Sequence, residues 1–167
     1  TADQKNWLEV TSAGHEVVLG TDSTIVYSGG SSPVNVWTGP YKNLTVEKSI
    51  VAYDTSSVLG ELKVTKVIDV KGITSALTIQ ATTMTVTGDM KVSGNNPVSI
   101  TCTTSLKAHS KVEVSSTGAS ANLTVDSPVQ EYGDDVTSSC PLIFNNVATS
   151  ATFAKKLETT GSPRQNI

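Results

Sequence analysis

Chemistry in this chain would fall to histidines, cysteines and clustered carboxylates, and there are few of each. The two histidines, His15 and His109, lie far apart in sequence, and neither sits beside a nucleophile-elbow pattern. Both read as surface imidazoles. Zinc needs three or four nitrogen or sulfur ligands at short spacings, which two Cys and two His scattered this way do not offer. Asp126, Glu131, Asp134 and Asp135 form the one acidic concentration. Carboxylates on an irregular loop can hold Ca²⁺, but this spacing matches no EF-hand loop. A solvated acidic loop is the favoured reading, and no metal or cofactor is expected. Gly29-Gly30 is followed by Ser31, Ser32 and Pro33 with no helix to open, so it is no phosphate cradle. Nothing here selects a catalytic set, and an enzyme is not expected.

Cys102 and Cys140 fit one disulfide in an oxidising compartment. Closing a loop of that length contributes about 4 kcal/mol in the chain-entropy account. Cys102 shares the parity of Val98 and Ile100, which turns its side chain toward the core. Trp7, Trp37 and Tyr41 fall in the first quarter of the chain and are the candidate glycan contacts. With only 5% aromatic residues, core or interface anchors are the plainer reading of these rings. Asn43-Leu44-Thr45 and Asn122-Leu123-Thr124 have the form of N-glycosylation acceptors, which matter only on a secretory route. Thr83, Thr85 and Thr87 share a strand face. Lys71, Ser99 and Glu113 on the expected neighbours break up any hydroxyl row, which argues against ice binding.

The elements that must position these residues are short strands. A phrase recurs as Leu44-Thr45-Val46, Leu62-Lys63-Val64, Leu77-Thr78-Ile79, Met90-Lys91-Val92, Leu106-Lys107-Ala108 and Leu123-Thr124-Val125. The pairs Ile68/Val70, Met84/Val86, Val98/Ile100 and Val112/Val114 repeat the alternation between them. A period of two means one buried and one wet face. Leu77 and Ile79 differ in parity from Met84 and Val86, so a bulge or corner is expected within Gln80–Thr83. Thr87-Gly88-Asp89-Met90 carries a tight-hairpin signal, and Gly94-Asn95-Asn96-Pro97 a second turn. Leu106 to Val114 keeps even parity and reads as one long strand, and residues 154–158 read as a helical turn.

No segment carries a sustained helical period, so crossover helices are excluded and the chain is all-β. Two architectures fit. One is an antiparallel β-sandwich or jelly roll of roughly ten strands. The alternative is a parallel β-solenoid with the phrase as its rung. Rungs demand near-constant spacing, whereas the steps from Leu44 through Leu62, Leu77, Met90 and Leu106 to Leu123 are uneven. The expectation is therefore the sandwich, a single domain over 1–167 with polar segments at 1–6 and 154–167.

Composition narrows function by exclusion. A net charge of −3 with no basic block disfavours nucleic acid, and no apolar run reaches the roughly 20 residues of a membrane helix. A chain opening on Thr1 is expected to be a mature secreted one. Ser- and Thr-rich strands with few charges suit a non-enzymatic structural protein outside the cell or on its surface. The expected role is a subunit of a filament, pilus-like appendage or lattice, joined to copies of itself through β-strand edges. The linking strand is placed at Trp7, Leu8 and Val10. Alternatives are a carbohydrate-binding or adhesion module and a virion decoration or tail protein.

Overall fold

The chain winds as a parallel β-solenoid in the computed structural model, which describes residues 19–30, 32–55, 58–116, 118–146 and 150–159. One sheet has seven strands, β1 (Thr24–Tyr27), β3 (Asn43–Val46), β7 (Ile68–Gly72), β9 (Met90–Gly94), β11 (Val112–Ser116), β14 (Val136–Ser138) and β17 (Leu157–Thr159). A ten-stranded sheet forms the rest of each turn. Its leading row holds β2 (Val34–Val36), β4 (Ile50–Thr55), the first half of β8 (Leu77–Val86), the first half of β10 (Val98–Ala108), β12 (Leu123–Asp126) and β15 (Leu142–Asn145). Its trailing row holds β6 (Leu62–Val64), the second halves of β8 and β10, β13 (Val129–Tyr132) and β16 (Ser150–Phe153). β5 (Val58–Leu59) folds back on β4 in the one antiparallel pairing among the described strands.

The antiparallel sandwich is thus overturned by the pairing itself. In the seven-stranded sheet Leu44 lies beside Ile68, Ile68 beside Met90, Met90 beside Val112, Val112 beside Val136 and Val136 beside Leu157. These steps are nearly equal, and a turn of roughly 22 residues is an ordinary solenoid repeat. The scatter in the recurring phrase has a simple origin. Each full turn carries three short strands, and the phrase marks every second one. Leu44 belongs to the seven-stranded sheet, Leu62 to the trailing row and Leu77 to the leading row; Met90, Leu106 and Leu123 repeat the rotation. Each step of the phrase is two thirds of a turn, and it crosses different corners each time.

Inward-facing rows make a continuous core. Leu44, Ile68, Met90, Val112 and Val136 stack in one, Ile50, Ile79, Ile100 and Val125 in another, and Leu62, Met84 and Leu106 in a third. All are essentially inaccessible to water, and each such side chain contributes about 1.5–3 kcal/mol on burial. Gln130 interrupts the third row without orphaning a polar atom. Its Nε2 donates to the carbonyls of Ser127 and Asn145 at 3.2 and 3.3 Å, and Tyr132 Oη donates to its Oε1 at 3.0 Å.

Corners explain the remaining differences. The expected hairpin at Thr87–Met90 is a corner between sheets, because β8 and β9 never pair. Gly88 is needed there for closeness: a Cβ would overlap the Lys66 carbonyl of the turn below. The long strand expected from Leu106 to Val114 is β10 and β11 with His109–Lys111 as a corner that preserves parity. The phase change near Gln80–Thr83 falls between buried Ala81 and Met84, and the neighbouring β10 takes its register shift between Cys102 and Ser105. Residues 157–159 are strand, not part of a helical turn or a polar tail.

Gly88→Ala should cost at least about 2 kcal/mol by chemical denaturation, since backbone rather than a pliable side chain must move. Gly20→Ala, with open space around the added methyl, should stay within about 0.5 kcal/mol of wild type.

Candidate functional site

The expected disulfide is absent: Cys102 and Cys140 are both free thiols in the core. Parity placed Cys102 on the correct face but could not say where along it. Register puts Leu142, Leu123 and Val98 in one column, with Cys140 before that column and Cys102 well after it. Val98 to Cys102 alone spans about 13 Å along the sheet, before counting the corner and the turns between the thiols. A bridge needs Cα atoms within about 7 Å. Burial pushes the Cys102 thiol up to about 12, with a hydrogen bond involving the Met84 backbone opposing it. Cys140 N donates to Ser138 Oγ at 3.2 Å, and Ser138 Oγ donates to the Cys140 carbonyl at 2.7 Å.

The acidic residues do not converge. Asp126 ends β12, Glu131 lies in β13, and Asp134 and Asp135 occupy the next corner. Glu131 faces its register partner Lys107 at 3.7 Å. Asp134 Oδ1 meets Lys155 Nζ at 2.9 Å and accepts the Asp135 N–H at 2.7 Å. The Lys155 ammonium and that N–H hold the Asp134 carboxyl below its ordinary value. Asp135 Oδ1 accepts the Lys156 N–H at 3.3 Å. No grouping of three or more His, Cys, Asp or Glu among the described residues could hold a metal ion.

Asn43 opens β3 and Asn122 lies at the corner before β12, and both side chains are in contact. Asn43 Nδ2 donates to Ser23 O at 3.2 Å, and its Oδ1 accepts the Val67 N–H at 3.4 Å. Asn122 Nδ2 donates to Ser120 O, while Thr124 Oγ1 donates to Asn122 Oδ1, both at 3.3 Å. Exposed His109 donates its backbone N–H to Val86 O at a corner, beside a shallow groove shared with Lys107, Glu131 and Thr152. Thr85 is flanked across strands by Lys63 and Lys107, not by Lys71, Ser99 or Glu113, which lie on other rows. His15 and the segment Trp7, Leu8 and Val10 lie outside the described residues.

Six of the eight aromatic residues gather at the two ends of the core, a distribution with no local sequence signal. At the first turn Tyr41 is fully buried, with Trp37 at 5.3 Å and Tyr27 at 6.3 Å between ring centroids, both edge-on. Tyr41 Oη donates to Trp37 O at 2.6 Å and lies 2.9 Å from Tyr27 Oη. Burial raises both phenols above their ordinary value. Tyr41 is therefore unavailable for stacking on a sugar, and Trp37 is half-buried against the core. At the last turn Tyr132 stacks on Phe153 at 4.8 Å, and Phe144 meets both rings edge-on. These are the first and last turns among the described residues. Ile25 and Trp37 at one end, and Phe144, Phe153 and Leu157 at the other, are only partly buried. Among the described strands β1, β2, β15, β16 and β17 each have a parallel neighbour on one side alone.

Both cysteines should be silent to a thiol reagent in the native protein, and unfolding without reductant should release two thiols per chain. Because folding raises the Cys102 pKa from 9.0 to about 12, its stabilisation is complete below pH 9.0 and is lost as pH rises toward 12. Cys102→Ala should lower stability near neutrality, and its deficit should shrink across that window in denaturation midpoints.

No protein-family model, curated protein or solved structure matches the chain.

Proposed function

We propose that this chain is a non-enzymatic structural subunit, extracellular or on a cell surface, that joins copies of itself end to end into a filament or lattice. The observation that carries this reading is the contrast between the middle and the ends of the solenoid. Among the described residues, interior turns have both strand edges paired, whereas the first and last turns are paired on one side alone and keep partly buried apolar side chains. The strand edges of β15 and β16, which have no described parallel neighbour on their outer side, lie around partly buried rings and are what a further turn would cover. The last turn of one copy presents β15, β16 and β17, and the first turn of the next presents β1 and β2. Such a contact joins two different surfaces and does not close on itself, so it propagates. The glycan reading loses Tyr41 to the core and keeps a half-buried Trp37, so it is the weaker of the two.

Purified protein should form filaments under negative stain. Phe144→Asp with Phe153→Asp places charge on the last turn and should cut filament mass at least tenfold, with β-rich circular dichroism retained. If that pair does not fold, Leu157→Lys on the other sheet gives the same reading. Dispersed single particles of wild type at high concentration, or filaments unaffected by a folded end variant, would contradict the proposal.

A further inference from the structure

The outer face of the seven-stranded sheet carries a checkerboard of charge. One column runs Asp69, Lys91, Glu113 across β7, β9 and β11. The column beside it runs Asp89, Lys111, Asp135, Lys156, residues that immediately precede the strands and are linked through successive backbone hydrogen bonds. On the other side Glu47 and Lys71 are neighbours at 3.5 Å, and Lys71 also reaches Asp69 at 3.4 Å. Sign alternates along each strand, as in Asp89/Lys91 and Lys111/Glu113, and alternates again from each turn to the next. Within these columns no like charges are adjacent. The outward residues of the leading row on β4, β8 and β10 (Val51, Gln80 and Thr101, with Thr78 and Ser99) carry no charge at all.

We infer that this charged face is a lateral docking surface for a second copy of the same chain. Two offsets set opposite signs of a checkerboard together, one column along the strands or one turn across them, and the inferred contact takes the turn. A two-fold axis parallel to the strands, passing between β9 and β11, does this. It sets Asp89 of one copy against Lys111 of the other and Lys91 against Glu113. The symmetry repeats each pair, giving four intermolecular ion pairs in an isologous, closed contact. The next turns out then face Asp69 with Thr137 and Val67 with Asp135, so no like charges meet there. Lys91, Lys111 and Glu113 are exposed and able to reach across. Six strands about 4.8 Å apart, averaging about four residues of 3.3 Å, present roughly 400 Å² per copy. That lies below the standard size of a stable interface, so the contact is weak, electrostatic and salt-sensitive. It does not depend on end-to-end assembly.

Sedimentation equilibrium of the intact chain tests it at up to about 0.1 mM protein, where so small an interface is populated. In about 20 mM salt the mass should rise toward two copies, and in about 0.5 M salt association should weaken at least fivefold. Lys91→Glu or Glu113→Lys alone should give a folded monomer, and the double swap should restore the dimer by rebuilding the pairs with reversed sign. An end-to-end filament would give an open series of masses indifferent to these substitutions, so the two contacts are read separately. A single-copy mass at low salt, a dimer that survives Glu113→Lys, or a double swap that fails to rescue would each overturn the inference.

Discussion

Everything in this fold depends on the backbone ladder between successive turns. Because each strand pairs in parallel and in register with the strand one turn away, each side chain is stacked on the equivalent side chain of the next turn. Turning one strand by one residue would send its whole apolar row into water. The constraint reaches the corners as well. Gly88 and Gly133 leave room for the carbonyls of Lys66 and His109, and Asn96 Nδ2 bonds to Gly72 O and Ile73 O at 3.0 and 2.9 Å. The outer face obeys it too. Alternating charge rewards the observed stacking and sets like charges together after a slip of one turn, which helps specify a register that repeated Leu, Val and Ile rows alone leave degenerate.

Among the described residues, the turns in the middle are paired on both sides and those at the two ends on one. Each turn contacts its two neighbours and little else, so stability is a sum of nearest-neighbour terms. The first and last described turns have one described neighbour each, and aromatic rings stand at both. Trp37, Tyr41 and Tyr27 pack together at one end and Tyr132, Phe144 and Phe153 at the other, while Val, Leu, Ile and Met dominate the turns between. The chemistry of the chain follows the same division. Burial raises the pKa of the Cys102 thiol and of the Tyr27, Tyr41 and Tyr132 phenols, and the carboxylates of the last turns are dispersed among lysines.

The all-β class and nearly every inward residue were legible in the sequence, since alternation is a local property. Val70, Val92 and Val114 announce their own orientation, and so does Cys102. The pairing was not legible. Alternation says which way a side chain points and nothing about which strand lies beside it, and a Gly-Asp corner has the same composition as a Gly-Asp hairpin. The recurring phrase misled for a related reason: three strands per turn look alike, so counting every second one hid a steady turn length. The disulfide failed because facing the core is not the same as facing each other. Among the candidate aromatics Tyr41 proved to be packing, while Phe144 and Phe153, which no motif marks, define an end. The checkerboard on the seven-stranded sheet emerges only once residues one turn apart are set side by side.

Cross-strand contacts measured by NMR test the central claim most directly. Parallel in-register stacking predicts backbone contacts from Val92 to both Val70 and Val114, with none pairing Val86 to Lys91 across Gly88-Asp89. Contacts closing Thr87–Met90 as an antiparallel hairpin, without the Val70–Val92–Val114 series, would contradict the solenoid and everything drawn from it.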